Sequence, residues 1–252
     1  MNYLAKHLRS EGIEKGQVKV VEGIPQVASM INSGEADIFV DSPFPVLMVD
    51  YLADIKYPLR RWKRGVAEYS SIIFTRKDSG IRKLEDLKGN MISFEERFST
   101  SGYFLPKSLL LDRKLTLKLK RSLNAPVSSD EIGYIFSEGD ETTMVWVLRK
   151  RIQAGAIDRP NFFEDARDQV SHLHILYQTE PVPRNLFAHR SNLDKKLISK
   201  MKAVLLNMDQ TREGREILTS YQKTKKFDNV PSKSIAVLDK MKRYIKLELD
   251  DQ

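Results

Sequence analysis

Asn90–Arg113, NMISFEERFSTSGYFLPKSLLLDR, is the stretch from which the rest of the chain is best read. Met91 to Phe94 reads as a short buried strand, and Ser99-Thr100-Ser101-Gly102 follows a few residues later. From Tyr103 onward, Phe104, Leu105, Leu109, Leu110 and Leu111 have the spacing of a buried helix face. Three hydroxyls therefore stand where a loop enters a helix. The first turn of a helix leaves backbone N–H groups without partners and carries the positive end of the helix dipole, so an anion suits it. Ser and Thr add donors that rotate to meet a tetrahedral oxyanion, and Gly102 removes a Cβ from the approach. The competing explanation is that Ser99 or Ser101 is only an N-cap, worth about 1 kcal/mol to the helix. Spacing alone leaves both open.

Strand and helix signals alternate on either side of this stretch. Gln17 to Glu22 alternates as a strand, Ile24 to Ser33 reads as a helix stopped by Gly34, and Ala36 to Val40 is a buried strand. That strand runs into Asp41-Ser42-Pro43-Phe44, where Pro43 suits the start of a helix over Pro45 to Leu52. Tyr69 to Arg76 is rich in β-formers. Downstream come a strand at Tyr134 to Phe136, a helix over Glu141 to Arg151, and the strand Ala154 to Asp158, which ends in a carboxylate. His174 to Tyr177 and Leu186 to His189 are further strands; Leu193 to Met208, Glu213 to Tyr221 and Ile235 to Leu247 are helical. Such alternation predicts an α/β fold with a mostly parallel sheet. Ligands of these folds gather at the carboxyl ends of strands, which is where Asp41, Ser42 and Asp158 fall. With no long linker in the chain, a second lobe is expected as an insertion within the first.

The 252 residues are 41% hydrophobic and carry a formal net charge of +8, ordinary globular values with a basic balance. Local clusters are Arg60-Arg61-Trp62-Lys63-Arg64 and Lys223-Lys225-Lys226; without paired Cys/His ligands or an aromatic RNA-binding strand they read as solvated surface, and no nucleic-acid partner is expected. The chain has no cysteine, which excludes disulfides and thiolate chemistry. No apolar run reaches the roughly 18 residues that span a bilayer. The four histidines show no metal-ligand or catalytic spacing; His172 and His174 read as edge-strand surface, so no catalytic residue, metal or cofactor is expected.

In order and spacing, Gly34-Glu35-Ala36-Asp37-Ile38, the Pro43-Phe44 turn, Arg76 to Ile81, Leu84 to Gly89, Ser99-Thr100-Ser101-Gly102-Tyr103, Ala154 to Asp158 and Glu213 to Leu218 resemble the phosphate/phosphonate-binding subunits of ABC importers. The resemblance runs from Ile24 to Pro231, and its most specific part is the Ser-Thr-Ser-Gly element. It implies the type II periplasmic-binding-protein fold, two α/β lobes closing on a ligand. Lobe one would be residues 1–75 and 183–252, and lobe two the inserted 76–182. It also implies that Ser99, Thr100, Ser101 and Gly102 hold phosphate, phosphite or phosphonate oxygens. Asp158 would accept a hydrogen bond from a protonated oxyanion or pair with a ligand amine, and Tyr69 would stand near the cleft. With the resemblance included, the oxyanion role outweighs the plain cap.

Two departures from the family follow. The family's His-Asp pair before a helix is Asp140-Glu141 here, and a second acid would repel a dianion. Either the ligand carries a compensating cation, or the pair turns outward, or affinity is lost. The chain as given also opens on Met1-Asn2-Tyr3-Leu4, inside an amphipathic helix, where family members have an export signal and a first strand. A truncated or degenerate homologue is expected, cytoplasmic without the signal and periplasmic or lipid-anchored extracytoplasmic with it. The expected function is a monomeric solute-binding protein serving an ABC permease, not an enzyme, with Ser42, Tyr69, Ser99, Thr100, Ser101, Gly102, Glu141 and Asp158 at the ligand. The alternative is a ligand-sensing module on the same fold with no transport role.

Overall fold

Helix α1 (Asn2–His7) buries Tyr3, Leu4 and Ala5. The computed structural model describes residues 1–250. Helix α2 (Ile24–Ser33) has Pro25 in its first turn and stops at Gly34, whose φ of 75° a side chain would resist. Strand β1 (Ile38–Asp41) leads into α3 (Pro43–Leu52), which starts at Pro43, two residues before the expected Pro45, because proline's fixed φ and missing N–H fit the first helical position. Strands β2 (Ile55–Arg61) and β3 (Glu68–Tyr69) follow.

From here the chain builds a second unit, Tyr69–Pro181, before returning to the first from Val182 onward. The first change of unit falls at Glu68/Tyr69 rather than after Thr75, because β4 (Ser71–Arg76) is an inner strand of the second unit's sheet. That unit continues with β5 (Met91–Phe94), a π-helical turn over Thr100–Phe104, α4 (Leu105–Asp112), β6 (Thr116–Leu119), β7 (Glu131–Phe136), α5 (Asp140–Leu148), β8 (Ala154–Asp158), α6 (Arg159–Ala166) and β9 (Leu173–Gln178). Back in the first unit come β10 (Val182–Pro183), β11 (Asn185–Arg190), α7 (Lys195–Leu206), α8 (Arg212–Ser220), β12 (Phe227–Asn229), α9 (Ser232–Lys242) and α10 (Ile245–Asp250). The single helix expected over Ile235 to Leu247 is thus two, separated at Arg243 and Tyr244.

The second unit's sheet has the order β6-β7-β5-β8-β4-β9. Strands β6, β7, β5 and β8 run parallel, and β4 joins β8 and β9 antiparallel. Ile72, Phe74, Ile157, Met144, Val147 and Phe162 form the core between this sheet and helices α5 and α6. The first unit departs from a mostly parallel sheet: in its order β1-β11-β2-β12, the ladders β1–β11, β11–β2 and β12–β2 are all antiparallel. Strands β1 and β2 nevertheless point the same way, since each is antiparallel to the β11 between them.

Gln17 to Glu22 is not a strand. Residues 13–21 adopt no regular structure, and Val18 and Val20 are 74% and 96% exposed. Alternation makes a strand only where a neighbour takes its hydrogen bonds, and among the described residues β1 is bonded to β11 alone. In the opposite direction, β2 was hidden by its sequence: Pro58 and three basic residues in seven suit no inner strand, yet β11 and β12 flank it.

Candidate functional site

Strands β5, β7 and β8 are parallel neighbours, so their carboxyl ends lie along one side of the second unit's sheet. Every polar group of the site there comes from what directly follows one of those ends. After β5 come Glu95 and the Ser99–Gly102 turn; after β7 come Ser137 and Asp140; β8 ends on Asp158. The start of β4 reaches the same side, since Ser71 is registered opposite Asp158, and this places buried Tyr69 two residues from that pair.

The turn is held rigidly. Ser99 is the N-cap: its Oγ accepts the Gly102 N–H at 2.9 Å. The same hydroxyl donates to Glu95 Oε2 in a short hydrogen bond, and the Glu95 N–H donates to the Gly102 carbonyl at 3.0 Å. Glycine is required at 102 because a Cβ there would come within 2.4 Å of Glu95 Cβ. Tyr103 anchors the turn from below, edge-on to Phe94 at 5.4 Å and to Phe136 at 5.0 Å, while Lys107 Nζ donates to its phenol oxygen at 2.7 Å. The π-helical hydrogen bonds Phe104 N–H to Ser99 O and Leu105 N–H to Thr100 O widen the first turn before α4 begins.

The hydroxyls of the turn differ in their partners. Ser99 is a cap whose hydroxyl proton already goes to Glu95, whereas Ser101, 6% exposed, keeps a hydroxyl with no hydrogen bond among the described residues. Thr100 is 1% exposed in the same turn. Asp158 also serves as a cap, its Oδ1 accepting the Asn161 N–H at 2.8 Å at the head of α6. Glu141 is exposed in the first turn of α5, whereas its neighbour Asp140 turns inward. Ser42 belongs to the first unit, as N-cap residue of α3, with its N–H on Asp41 Oδ1 at 2.6 Å.

Three carboxyl groups, Glu95, Asp140 and Asp158, thus share the second unit's site. Asp140 Oδ2 accepts from Asn161 Nδ2, while its Oδ1 is buried with no hydrogen-bond partner among the described residues. Burial, and then the charges of Glu95 and Asp158, push the Asp140 carboxyl up to about 8. At neutral pH it is mostly the uncharged acid, a hydrogen-bond donor rather than a second negative charge. That removes the repulsion expected from the Asp140-Glu141 pair without turning Asp140 outward. Sequence reasoning missed Glu95 and Asn161. Glu95 carried the same signal as Asp41 and Asp158, a carboxylate at the end of a short apolar strand, but lay inside a stretch read for its hydroxyls.

Residues 1–233 match the protein family described as ABC transporter, phosphonate, periplasmic substrate-binding protein. The chain belongs to that family. Its members are substrate-binding proteins rather than enzymes, and the family is periplasmic. Solved structures agree on the two-lobe type II periplasmic-binding-protein fold. XAC2383 from Xanthomonas citri, solved with chloride ion and again with ATP, superposes on this phosphonate-family protein with a TM-score of 0.89 in both states. For the chloride structure the identity is 20%, over 99% of this chain and 91% of that one. PhnD1 from Prochlorococcus marinus, in complex with methylphosphonate, is 16% identical over 97% of this chain and 91% of that one, with a TM-score of 0.63. The periplasmic aliphatic sulphonate binding protein SsuA from Escherichia coli is 17% identical over 98% and 83%, with a TM-score of 0.54.

Proposed function

We propose that this family member is the solute-binding component of an ABC importer and that its ligand is a small tetrahedral oxyanion: phosphate, phosphite or a phosphonate. The observation that carries this reading is the hydroxyl of buried Ser101, in the first turn before α4 and without a hydrogen-bond partner among the described residues. A ligand oxygen takes that hydroxyl and first-turn amides, while Thr100 and Gly102 line the approach. Neutral donors suit the task, because they replace the ligand's water shell without the desolvation penalty of a buried counter-charge. Protonated Asp140 adds a donor. Asp158, with Tyr69 near it, accepts a hydrogen bond from a singly charged, protonated oxyanion or pairs with a ligand amine. The methylphosphonate of PhnD1 and the aliphatic sulphonate named for SsuA are tetrahedral oxyanions of this kind, which supports the reading. The protein acts as a monomer outside the cytoplasm and delivers the ligand to a membrane permease.

Isothermal titration with phosphate, phosphite, methylphosphonate and 2-aminoethylphosphonate tests the proposal. One-site binding of at least one of them, weakened about tenfold by Ser101→Ala through loss of one hydrogen bond to a charged group, is the expected result. Absence of heat with all four, on folded protein, would discard it. Tighter binding of the aminoethyl compound than the methyl one would assign Asp158 to the amine.

A further inference from the structure

The two basic runs of the sequence, residues 60–64 and 223–226, are far apart along the chain and side by side in the fold. Strand β12 pairs with the end of β2, Phe227 opposite Arg61. Backbone hydrogen bonds carry the pairing beyond both strands. The Trp62 N–H donates to the Lys226 carbonyl at 3.0 Å, the Lys225 N–H to the Trp62 carbonyl at 3.0 Å, and the Arg64 N–H to the Gln222 carbonyl at 3.2 Å. Two loops are thus zipped into one surface.

The two arginines that lead into it are spent on the fold. Arg60 donates to Asp228 Oδ1 at 2.7 Å and Glu68 Oε1 at 2.9 Å, and buried Arg61 donates to the side-chain amides of Asn185 and Gln222. The remaining five cations are held differently. Arg64, Lys223 and Lys225 are exposed, Lys63 and Lys226 are half-buried, and none of the five enters an ion pair among the described residues. Residues 60–67 and 217–227 contain no acid, and the acids that follow them, Glu68 and Asp228, are both taken by Arg60. Trp62 sits among the cations, with Lys226 Nζ 4.5 Å, Lys225 Nζ 5.5 Å and Arg60 Cζ 5.7 Å from its ring centroid. Like charges gathered round one indole repel one another, and that repulsion is relieved only by solvent, salt or an anionic surface from outside.

We propose that these five cations and Trp62 form a face that docks on an anionic phospholipid surface. Lysines outnumber arginine four to one in it, and a hydrated ammonium suits the spread-out charge of a bilayer, whereas a site for one phosphate gathers its donors into a cleft. Tryptophan is a side chain that settles at the headgroup level, and Tyr221, 42% exposed, adds a second aromatic at the edge of the same loop. Nucleic acid would meet the same charges, but the family is periplasmic, where the charged surface at hand is lipid. The face consists of first-unit residues alone and shares none with the Ser99–Gly102 turn, Asp140 or Asp158. It rests on the proposed function only for its setting, because a protein that hands its ligand to a permease works beside a bilayer. Lipid binding and oxyanion binding are read by separate measurements, so either can fail without the other.

Sedimentation with vesicles tests the face, comparing phosphatidylcholine alone with phosphatidylcholine containing about 30% phosphatidylglycerol. The expected result is binding to the anionic vesicles only, released by about 0.5 M salt and weakened about tenfold or more in Lys225→Gln/Lys226→Gln. Lys114→Gln/Lys118→Gln, which removes two exposed charges from the second unit, should bind as the wild type does. Absence of binding to anionic vesicles overturns the proposal, and so does an equal loss in the two double variants, which would trace the attraction to net charge. Binding of polyglutamate but not of vesicles through Lys225 and Lys226 overturns it too, by assigning the face to an acidic protein. A second measurement needs no variant: anionic vesicles should slow acetylation of Lys225 relative to Lys118, read by mass spectrometry, and equal slowing of both would count against the face.

Discussion

The two units present opposite solutions at the ends of their sheets. In the second unit, hydroxyls and first-turn amides stand among three carboxyl groups, one of them protonated at neutral pH. In the first, the buried Arg61 guanidinium and the half-buried Lys63 ammonium both feel the charge of the half-buried Asp41 carboxyl. Both arrangements occupy strand ends beside a helix start, but α3 opens on Pro43 and Pro45, which have no N–H, and the Ser42 N–H is held by Asp41, whereas the hydroxyl turn before α4 has no proline among its first residues. Backbone donors and neighbouring charges therefore both differ. A protonated acid and neutral hydroxyls interact through hydrogen bonds that depend on protonation, whereas fixed cations act through charge.

The most severe way to break the comparison is Gly102→Ala. A methyl group 2.4 Å from Glu95 Cβ meets atoms next to the backbone that cannot swing away. The turn should shift, abolishing oxyanion binding and destabilising the second unit by about 1–3 kcal/mol. Calorimetric melting together with ligand titration checks both; retained binding would show that the turn tolerates displacement.

Next comes the protonation of Asp140. A carboxyl whose folded pKa lies near 8, against 3.8 in the reference state, binds its proton more tightly in the folded protein. Between those values only the folded state keeps the proton, so the Asp140 contribution falls as pH rises from about 4 to about 8 and levels off above that. Asp140→Asn keeps the shape without the charge. Its melting temperature should exceed that of the wild type most at pH 8 and above, with the advantage shrinking towards pH 4. A difference independent of pH would mean that Asp140 is ionised throughout.

A smaller effect is expected for Asp158→Ala, which removes the cap on the Asn161 N–H and should cost α6 about 1 kcal/mol. Any fall in oxyanion affinity beyond that would mark a contact with the ligand. Smallest of all is Glu141→Gln. Its exposed side chain should change stability by less than about 0.5 kcal/mol and leave binding alone. A clear loss of binding would restore Glu141 to the ligand and undo the division of labour with Asp140.

How much of this was legible depended on how far each residue's partners lie along the chain. The hydroxyl turn could be read because it is local: cap, glycine and helix face all fall within Ser99 to Leu111, and the Ser99–Gly102 bond spans three residues. Asp158 was legible for the same reason, as a carboxylate closing an apolar strand and opening a helix. Arg61 was not. Its environment is made by Asn185 and Gln222, 124 and 161 residues away, and nothing in RRWKR separates an inner-strand arginine from a solvated one. Gln17 to Glu22 failed in the opposite sense, with a sound local pattern but no neighbouring strand.

The amino-acid order by itself determined the α/β class, the type II fold through its ordered motifs, and the neutral donors at the entrance to α4. These follow from short-range periodicity and helix-end chemistry, which a few adjacent residues define. Only the tertiary structure decided which hydroxyl is a cap and which has no hydrogen bond among the described residues, that burial and neighbouring acids raise the Asp140 carboxyl, and that Arg61 lies buried on two neutral amides. Those properties depend on burial and on charges brought together from distant parts of the chain, and Coulomb energy and desolvation are set by distance in space, not by separation in sequence.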